Sequence, residues 1–197
     1  MNKCIFLFII HFFLYGSYSG GHPGANFNYG SNAKDIALSS STLSTYNKGF
    51  NAFINPALLP QIKNNEYGFS YFFMSLDRSV QTLSISRPLP PSAGVSLSIF
   101  SSGTKNIINT NSFGSSIGTL SHSEGYGMLS FGLDLGVFSA GFNVKAYFNN
   151  LDEYSAKGIG FDIGCLYERS NLNIAFKINN LSSDYSWDID SEKYIEK

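Results

Sequence analysis

Charged residues are scarce in this sequence. Asp, Glu, Lys and Arg make up 14% of the 197 residues, and the formal net charge is −1, whereas globular proteins average about 25% charged residues. A chain without a basic or acidic surplus has no electrostatic footprint for nucleic acid, and it does not resemble a disordered polyelectrolyte. We therefore expect no nucleic-acid partner.

Cysteine and histidine are also few. The cysteines are Cys4 and Cys165, and the histidines are His11, His22 and His122. Cys4 and His11 fall in a predicted signal peptide, which leaves Cys165 as the one remaining cysteine. His22 and His122 have no carboxylate or cysteine at metal-ligand spacing. We expect neither a disulfide framework nor a metal site, and Cys165 is predicted to pack as a small hydrophobe.

Catalytic motifs are missing as well. Glycine repeats occur in GYGMLSFG (125–132) and GIGFDIG (158–164). Both lie inside predicted strands and do not open a helix, so they do not indicate a phosphate-binding loop. Asp152 and Glu153 are neighbouring carboxylates in a predicted loop with no base or nucleophile nearby. The sequence thus predicts no catalytic residue, no cofactor and no enzymatic activity.

Only the first residues contain a long hydrophobic run. MNKCIFLFIIHFFLYGSYSGG places Lys3 before the apolar stretch from Cys4 to Tyr15, with small Ser17 and Ser19 after it. A membrane-spanning helix needs about 20 apolar residues, so we interpret residues 1–19 as a secretory signal peptide; an uncleaved anchor is the alternative. Beyond it, a membrane role would have to use strands.

What the sequence does have is aromatic residues (16%) and 19 glycines, a mixture that favours strands over helices. From Tyr67 onward, apolar residues alternate with small or polar ones in period-two segments separated by turn residues. These segments predict seven strands: Tyr67 to Met74, Val80 to Arg87, Ala93 to Phe100, Tyr126 to Leu135, Phe138 to Phe148, Ile159 to Tyr167 and Leu172 to Asn179.

The lengths and connections of these strands indicate a particular fold. Most run for eight to eleven residues, close to the 9–11 or so that cross a bilayer when tilted. Long polar connections, predicted as loops at 101–125, 149–158 and 181–197, alternate with short turns, apart from the first link at 75–79. Outer-membrane barrels have the same alternation of short turns and longer loops. The predicted fold is an all-β, antiparallel transmembrane outer-membrane β-barrel, of which seven strands are visible.

The polar sides of the strands carry mostly Gly, Ser and Asn, with few charges. A crowded barrel lumen would favour such small residues, whereas solvated strand faces are usually rich in charged residues and Thr. We hypothesise that the sparse charges form lumenal ion pairs; the alternative is isolated charges in lumenal water. Tyrosines near strand ends are a weaker sign of aromatic girdles. The charges are Asp134, Lys145, Asp162 and Lys177; the tyrosines are Tyr67, Tyr71, Tyr126, Tyr147, Tyr154 and Tyr167.

Residues 20–66 lack strand alternation and are rich in Ser and Asn. A short helix is predicted near Ala33 to Leu43, with Ser31 or Asn32 as its N-cap. We interpret this region as an N-terminal extension, a plug-like segment that folds against or inside the strands at 67–180.

One motif in this region suggests a family. NAFINPALLP (51–60) resembles the Asn-Pro-Ala element of the PorV/PorQ family, outer-membrane barrels related to FadL-type transporters of hydrophobic compounds. The resemblance continues in MSLDRSVQTLSISRPLPPSAGVSLSIFSSGTKNI (74–107), in VKAYFNNLDEYSAKGIGFDIGCLY (144–167) and in NNLSSDYSWDID (179–190). It implies that Asn55, Pro56 and Ala57 shape a plug, although a plain loop turn is an equal alternative for this triplet.

The resemblance also implies a location and a role. It implies the outer membrane of a Gram-negative-type bacterium, with lipid as the surroundings. The partners would be secreted cargo proteins or other components of type IX secretion, where such barrels help to attach cargo at the cell surface. On the FadL side of the family, the partner would be a hydrophobic small molecule that passes through the lumen.

Two features depart from the family pattern. SNAKDIALSSSTLST (31–45) stands where the family has a glycine-rich stretch, and seven strands are visible where such barrels have about fourteen. The last residues, KYIEK, fall in a predicted loop (181–197) and not in a closing aromatic strand. We expect the chain to be truncated at its C-terminus or to be half of an assembly.

A soluble fold gives the same alternation. In a secreted β-sandwich or adhesin-like protein, the apolar face would form a protein core and the polar face would meet water. The residues that would then be covered by protein are Phe142, Val144, Phe161, Ile163, Ile174 and Phe176.

Overall fold

The computed structural model describes Phe27, residues 29–189 and residues 192–196. The predicted signal peptide, 1–19, lies outside these residues. The described part is all-β, as predicted, with a few short helices before the first strand. No helix in it has the length and hydropathy of a membrane-spanning segment.

Eight antiparallel strands form one sheet, and each strand pairs with the next along the chain. In the described residues β1 and β8 each pair with a single neighbour, so the sheet is open. The strands are β1 (Glu66–Met74), β2 (Arg78–Leu89), β3 (Ala93–Thr110), β4 (Ser116–Asp134), β5 (Phe138–Leu151), β6 (Tyr154–Arg169), β7 (Leu172–Ile189) and β8 (Glu192–Glu196).

All seven predicted strands are present, but the prediction of long loops was wrong. The region 101–125 forms the ends of β3 and β4, joined by a turn at 111–115. The region 149–158 forms the ends of β5 and β6, and 181–196 contains the end of β7 and the eighth strand. These ends pair residue by residue, as in Ser101↔Gly125. Because the ladder bonds are made by the backbone, polar side chains do not prevent them.

The N-terminal segment, which we define as Phe27 and residues 29–65, contains three short helices. Helix α1 (Ala33–Ala37) lies within the predicted range, and its N-cap is Asn32, whose side chain accepts a hydrogen bond from Asp35 N. It ends earlier than predicted, since Ser39 and Ser40 have left-handed φ values of 50° and 57°. Helix α2 (Asn51–Ile54) follows, and then a 3-10 helix (Pro56–Gln61).

The two faces of the sheet have opposite chemistry and opposite exposure. On the polar face, residues such as Ser84, Ser98 and Asn143 are buried, and the 3-10 helix lies across β2 to β6 on this side. On the apolar face the large side chains are exposed, including Phe69 at 69% and Phe73 at 86%. The N-terminal segment thus covers the hydrophilic side of the sheet and leaves the hydrophobic side open.

The predicted girdle tyrosines do not all lie on one face. Tyr67, Tyr71 and Tyr154 are exposed. Tyr126 and Tyr147 are instead buried on the polar face, where both pack against Phe27. The expectation of a girdle position is therefore wrong for these two residues, because their side chains point to the polar face from within β4 and β5.

Candidate functional site

A row of four glycines crosses the polar face. Each lies on a different strand from β3 to β6, and each is the register partner of the next: Gly94↔Gly132, Gly132↔Gly141 and Gly141↔Gly164. The absence of side chains makes a groove that runs across the strands. We call Gly94, Gly132, Gly141 and Gly164 the glycine row.

The backbone of the N-terminal segment lies in this groove. A Cβ atom on Gly141 would lie 2.5 Å from the carbonyl carbon of Pro56 and 2.7 Å from Ala57 N. Added Cβ atoms on the other three glycines would collide with Pro56 O, Leu59 O or the Asn55 side chain. Only glycine leaves room for so close an approach of a second backbone.

The Asn-Pro-Ala triplet lies in the groove together with Leu59. Asn55 Oδ1 accepts a hydrogen bond from Ala57 N at 3.0 Å, which caps the 3-10 helix that begins at Pro56. Asn55 Nδ2 donates to the carbonyl oxygen of Leu43 at 3.2 Å and to that of Cys165, on β6, at 3.3 Å. All three residues of the triplet are buried. The triplet therefore shapes the segment and also attaches it to the sheet.

Three of the four predicted lumenal charges come together beside this groove. Asp162, with no exposed surface, receives Lys145 Nζ at 2.8 Å and Lys177 Nζ at 3.7 Å. We call Lys145, Asp162 and Lys177 the charge cluster. Asp134 stands apart from it: it is exposed at the end of β4, and its Oδ1 accepts a hydrogen bond from Gly136 N in the turn.

Two asparagines complete the bonding of Asp162. Asn143 Nδ2 donates to Asp162 Oδ2 at 2.8 Å, and the backbone N–H of Asn180 donates to Asp162 Oδ1 at 3.0 Å. Asn180 lies where the register of β6 and β7 is irregular, and it has a left-handed φ of 56°. Bulges re-aim side chains, and Asn180 Oδ1 in turn accepts from Lys145 Nζ and from the hydroxyl of Tyr147.

The sheet reaches the N-terminal segment through this network. Lys177 Nζ donates to the carbonyl oxygen of Phe53 at 2.7 Å, and Asn143 Nδ2 donates to that of Ala52 at 3.3 Å. Both acceptors belong to α2. The cluster contains two lysines and one carboxylate, and the carboxylate of Asp35, which belongs to the segment, lines the cavity beside Lys177.

Two small cavities adjoin the charge cluster. One, of about 150 Å³, lies between the segment and the sheet and is lined in part by Phe27, Asp35, Phe53 and Lys177. The other, of about 70 Å³, touches all three members of the charge cluster. Ligand sites for drug-sized molecules measure about 300–1,000 Å³, so these cavities are of a size for water. The described residues contain no group of three His, Cys, Asp or Glu side chains placed to hold a metal ion.

A second attachment lies at the start of β1. The buried carboxylate of Glu66 accepts hydrogen bonds from the hydroxyl of Tyr46 and, at 2.8 Å, from Gly49 N. Burial, and then the hydrogen bond to Glu66, raise the pKa of Tyr46 to about 12. Sequence reasoning missed Glu66 because it stands at the boundary between the predicted plug and the first predicted strand.

Searches of protein-family models, curated proteins and solved structures found no match to this chain.

Proposed function

We propose that the chain forms part of the wall of an outer-membrane β-barrel of the PorV/PorQ type, and that its N-terminal segment is the plug of that barrel. The observation that carries the proposal is the inverted sheet, whose hydrophobic face is exposed while its polar face is buried. The lipid of the outer membrane would cover the exposed face. The polar face, with the glycine row and the charge cluster, would line the lumen.

The physical reason is that a soluble protein with this exposed hydrophobic face would be unfavourable in water. Soluble monomers rarely expose contiguous apolar patches larger than a few hundred Å². Here exposed large hydrophobic residues recur along β1 to β7, among them Leu97, Leu129, Phe161 and Phe176. A soluble sandwich needs a second layer over this face, yet the N-terminal segment packs on the opposite one. The described strands β1 to β7 have 9 to 19 residues, which is enough to cross a bilayer.

The resemblance to the family offers two roles, and the cavities favour one of them. Passage of a hydrophobic molecule needs a continuous path, whereas the two cavities at the charge cluster measure about 150 and 70 Å³. Attachment of exported cargo at the cell surface needs no open lumen. We therefore place handling of secreted cargo in type IX secretion first and transport of hydrophobic molecules second.

Adjacent phenylalanines on β1 give a matched test of the membrane location. Phe73 is exposed on the apolar face, and Phe72 is half-buried on the polar face. In a background with Trp187→Phe, a single tryptophan would be introduced by Phe73→Trp or by Phe72→Trp. In vesicles of brominated phosphatidylcholine, we expect strong fluorescence quenching for Phe73→Trp and weak quenching for Phe72→Trp, since quenching requires contact with lipid.

Equal, weak quenching at both positions would contradict the proposal and favour the secreted β-sandwich. Fractionation of the protein, expressed with its native N-terminus, gives an independent measurement. We expect it in the outer membrane with heat-modifiable migration on a gel, whereas a sandwich would be found in the soluble periplasmic fraction.

A further inference from the structure

We propose that Lys177 and Asn143 form a releasable latch that holds the N-terminal segment on the polar face. Their hydrogen bonds to Phe53 O (2.7 Å) and Ala52 O (3.3 Å) join the sheet to α2. The inference goes beyond the proposed function, because it concerns docking of the segment wherever the apolar face lies. If the sheet is in a membrane, release of the latch would open the lumen.

The bonds that stabilise the charge cluster lie within the sheet itself. Asp162 receives Lys145, Lys177 and the N–H of Asn180 from β5 and β7. A buried carboxylate left without a partner costs several kcal/mol. Departure of the segment would leave Asp162 with all of these partners, so it would not incur that cost. Release of the segment would therefore leave the bonds of Asp162 within the sheet intact.

The side of the latch that belongs to the segment is a pair of backbone carbonyls. Phe53 lies in the last turn of α2, where carbonyl groups lack partners within the helix. Lys177 supplies that partner with its ammonium group. Charge-assisted hydrogen bonds are about twice as strong as neutral ones, so we expect Lys177 to contribute more to the latch than Asn143.

Space around the latch allows it to open. The cavity of about 150 Å³ is lined by both Lys177 and Phe53 and is large enough for several waters. Water could therefore solvate the ammonium group and the carbonyl as they separate. A tightly packed contact without such space would have to pass through an unsolvated state, which is costly for a charged group.

Accessibility of Ala52 measures whether the segment is docked. Ala52 has no exposed surface, so a cysteine introduced by Ala52→Cys is shielded from maleimide while the segment is on the sheet. The background carries Cys4→Ser and Cys165→Ser, since Cys165 is exposed.

In the full chain in detergent, we expect Lys177→Met to raise the labelling rate at least tenfold and Lys177→Arg to restore most of the protection. The matched control is Lys157→Met at an exposed lysine, which should leave the rate unchanged.

Two results would overturn the latch. The first is an unchanged labelling rate in Lys177→Met, which would show that the segment is held elsewhere. The second is an equal rise of the labelling rate in the Lys157→Met control, because the loss of protection would then not depend on the hydrogen bond from Lys177 to Phe53 O. Neither result bears on lipid contact, so the failure of the latch and the failure of the proposed membrane location are distinguishable.

Discussion

At Gly132 the backbone of the sheet lies so close to the N-terminal segment that there is no room between them for a methyl group. The Cβ atom of an alanine there would collide with Pro56 O and lie 2.9 Å from the Pro60 side chain. The contact atoms belong to a backbone and a proline ring, neither of which can rotate away. The glycine row therefore determines how deeply the Asn-Pro-Ala triplet can sit.

Gly132→Ala should accordingly destabilise docking of the segment. We expect a loss of roughly 1–3 kcal/mol, the usual range for overpacking in a well-packed site, measured as the free energy of unfolding in urea. Gly127→Ala on the same strand is the control, because a Cβ at Gly127 has no atom within 4 Å. That variant should be neutral or more stable by about 0.5–1 kcal/mol, since glycine weakens a strand interior. Equal effects at the two positions would mean that the groove has no role in docking.

Tyr46 gives a pH-dependent test of the attachment at Glu66. Its folded-state pKa of about 12 is above the ordinary value of 10, so folding favours the protonated hydroxyl. The resulting stabilisation is fully present below pH 10 and is lost as the pH rises through 12. The measurement is the difference in tyrosinate absorbance between the unchanged protein and Tyr46→Phe, followed as the pH is raised. This difference should have its midpoint near pH 12. With Glu66→Gln, the midpoint should fall but remain above 10, because burial is the larger cause. An ordinary midpoint in the unchanged protein would contradict the contact.

Among the elements, the hairpin of β3 and β4 differs most from its neighbours. Pairing with β2 ends at Thr104, and pairing with β5 ends at His122. Residues 107–110 and 116–120 then pair only with one another, around a turn in which Phe113 is 92% exposed. Two-stranded ribbons are marginally stable in water, so this part of the hairpin depends on the wider sheet for its anchorage.

Hydrogen exchange should separate the two parts of β3. We expect the amides of residues 107–110 to exchange at least tenfold faster than those of residues 95–100, which lie between two paired strands, because local opening of the ribbon breaks few contacts. The comparison is made within one strand, so it needs no second protein. Equal protection would indicate that something covers the ribbon in the sample.

The same hairpin shows what sequence reasoning can and cannot predict. Period-two alternation identified β5 and β7 because one face of each is apolar, but it missed the polar ends of β3 and β4, where the partner strand supplies the order. The alternation also places Asp162, Lys145 and Lys177 on the polar sides of their strands, which is the basis for predicting ion pairs among them. The glycine row could not be predicted, because its four members align only when the cross-strand register is known. The partners of Lys177 and Asn143 are carbonyls of a segment more than 90 residues away, a contact that no local pattern encodes.

At the scale of the whole molecule, the main property is that the sheet buries its polar face and exposes its hydrophobic face. Most buried polar groups in proteins are hydrogen-bonded. Here Ser–Ser hydrogen bonds on β2 and β3, the charge cluster and the N-terminal segment provide many of the bonds of the polar face, whereas Ser130 Oγ and Asn143 Oδ1 have no hydrogen-bond partner among the described residues. A large apolar face is stable when lipid or another apolar surface covers it. The segment covers the polar face of the sheet, and lipid would cover the apolar face in the function that we propose.

Ile163→Arg tests this property directly. Ile163 is 53% exposed in the centre of the apolar face, on the same strand as the buried Asp162. If the face meets lipid, an arginine there should cost about 2–4 kcal/mol at the bilayer midplane, measured by reversible urea unfolding of the protein in phosphatidylcholine vesicles. Thr119→Arg, at an exposed position on the β3–β4 ribbon beyond the paired sheet, should cost less than about 0.5 kcal/mol, as surface substitutions usually do. If both variants were equally mild, the apolar face would be in water or against a polar partner, and the membrane location would have to be abandoned.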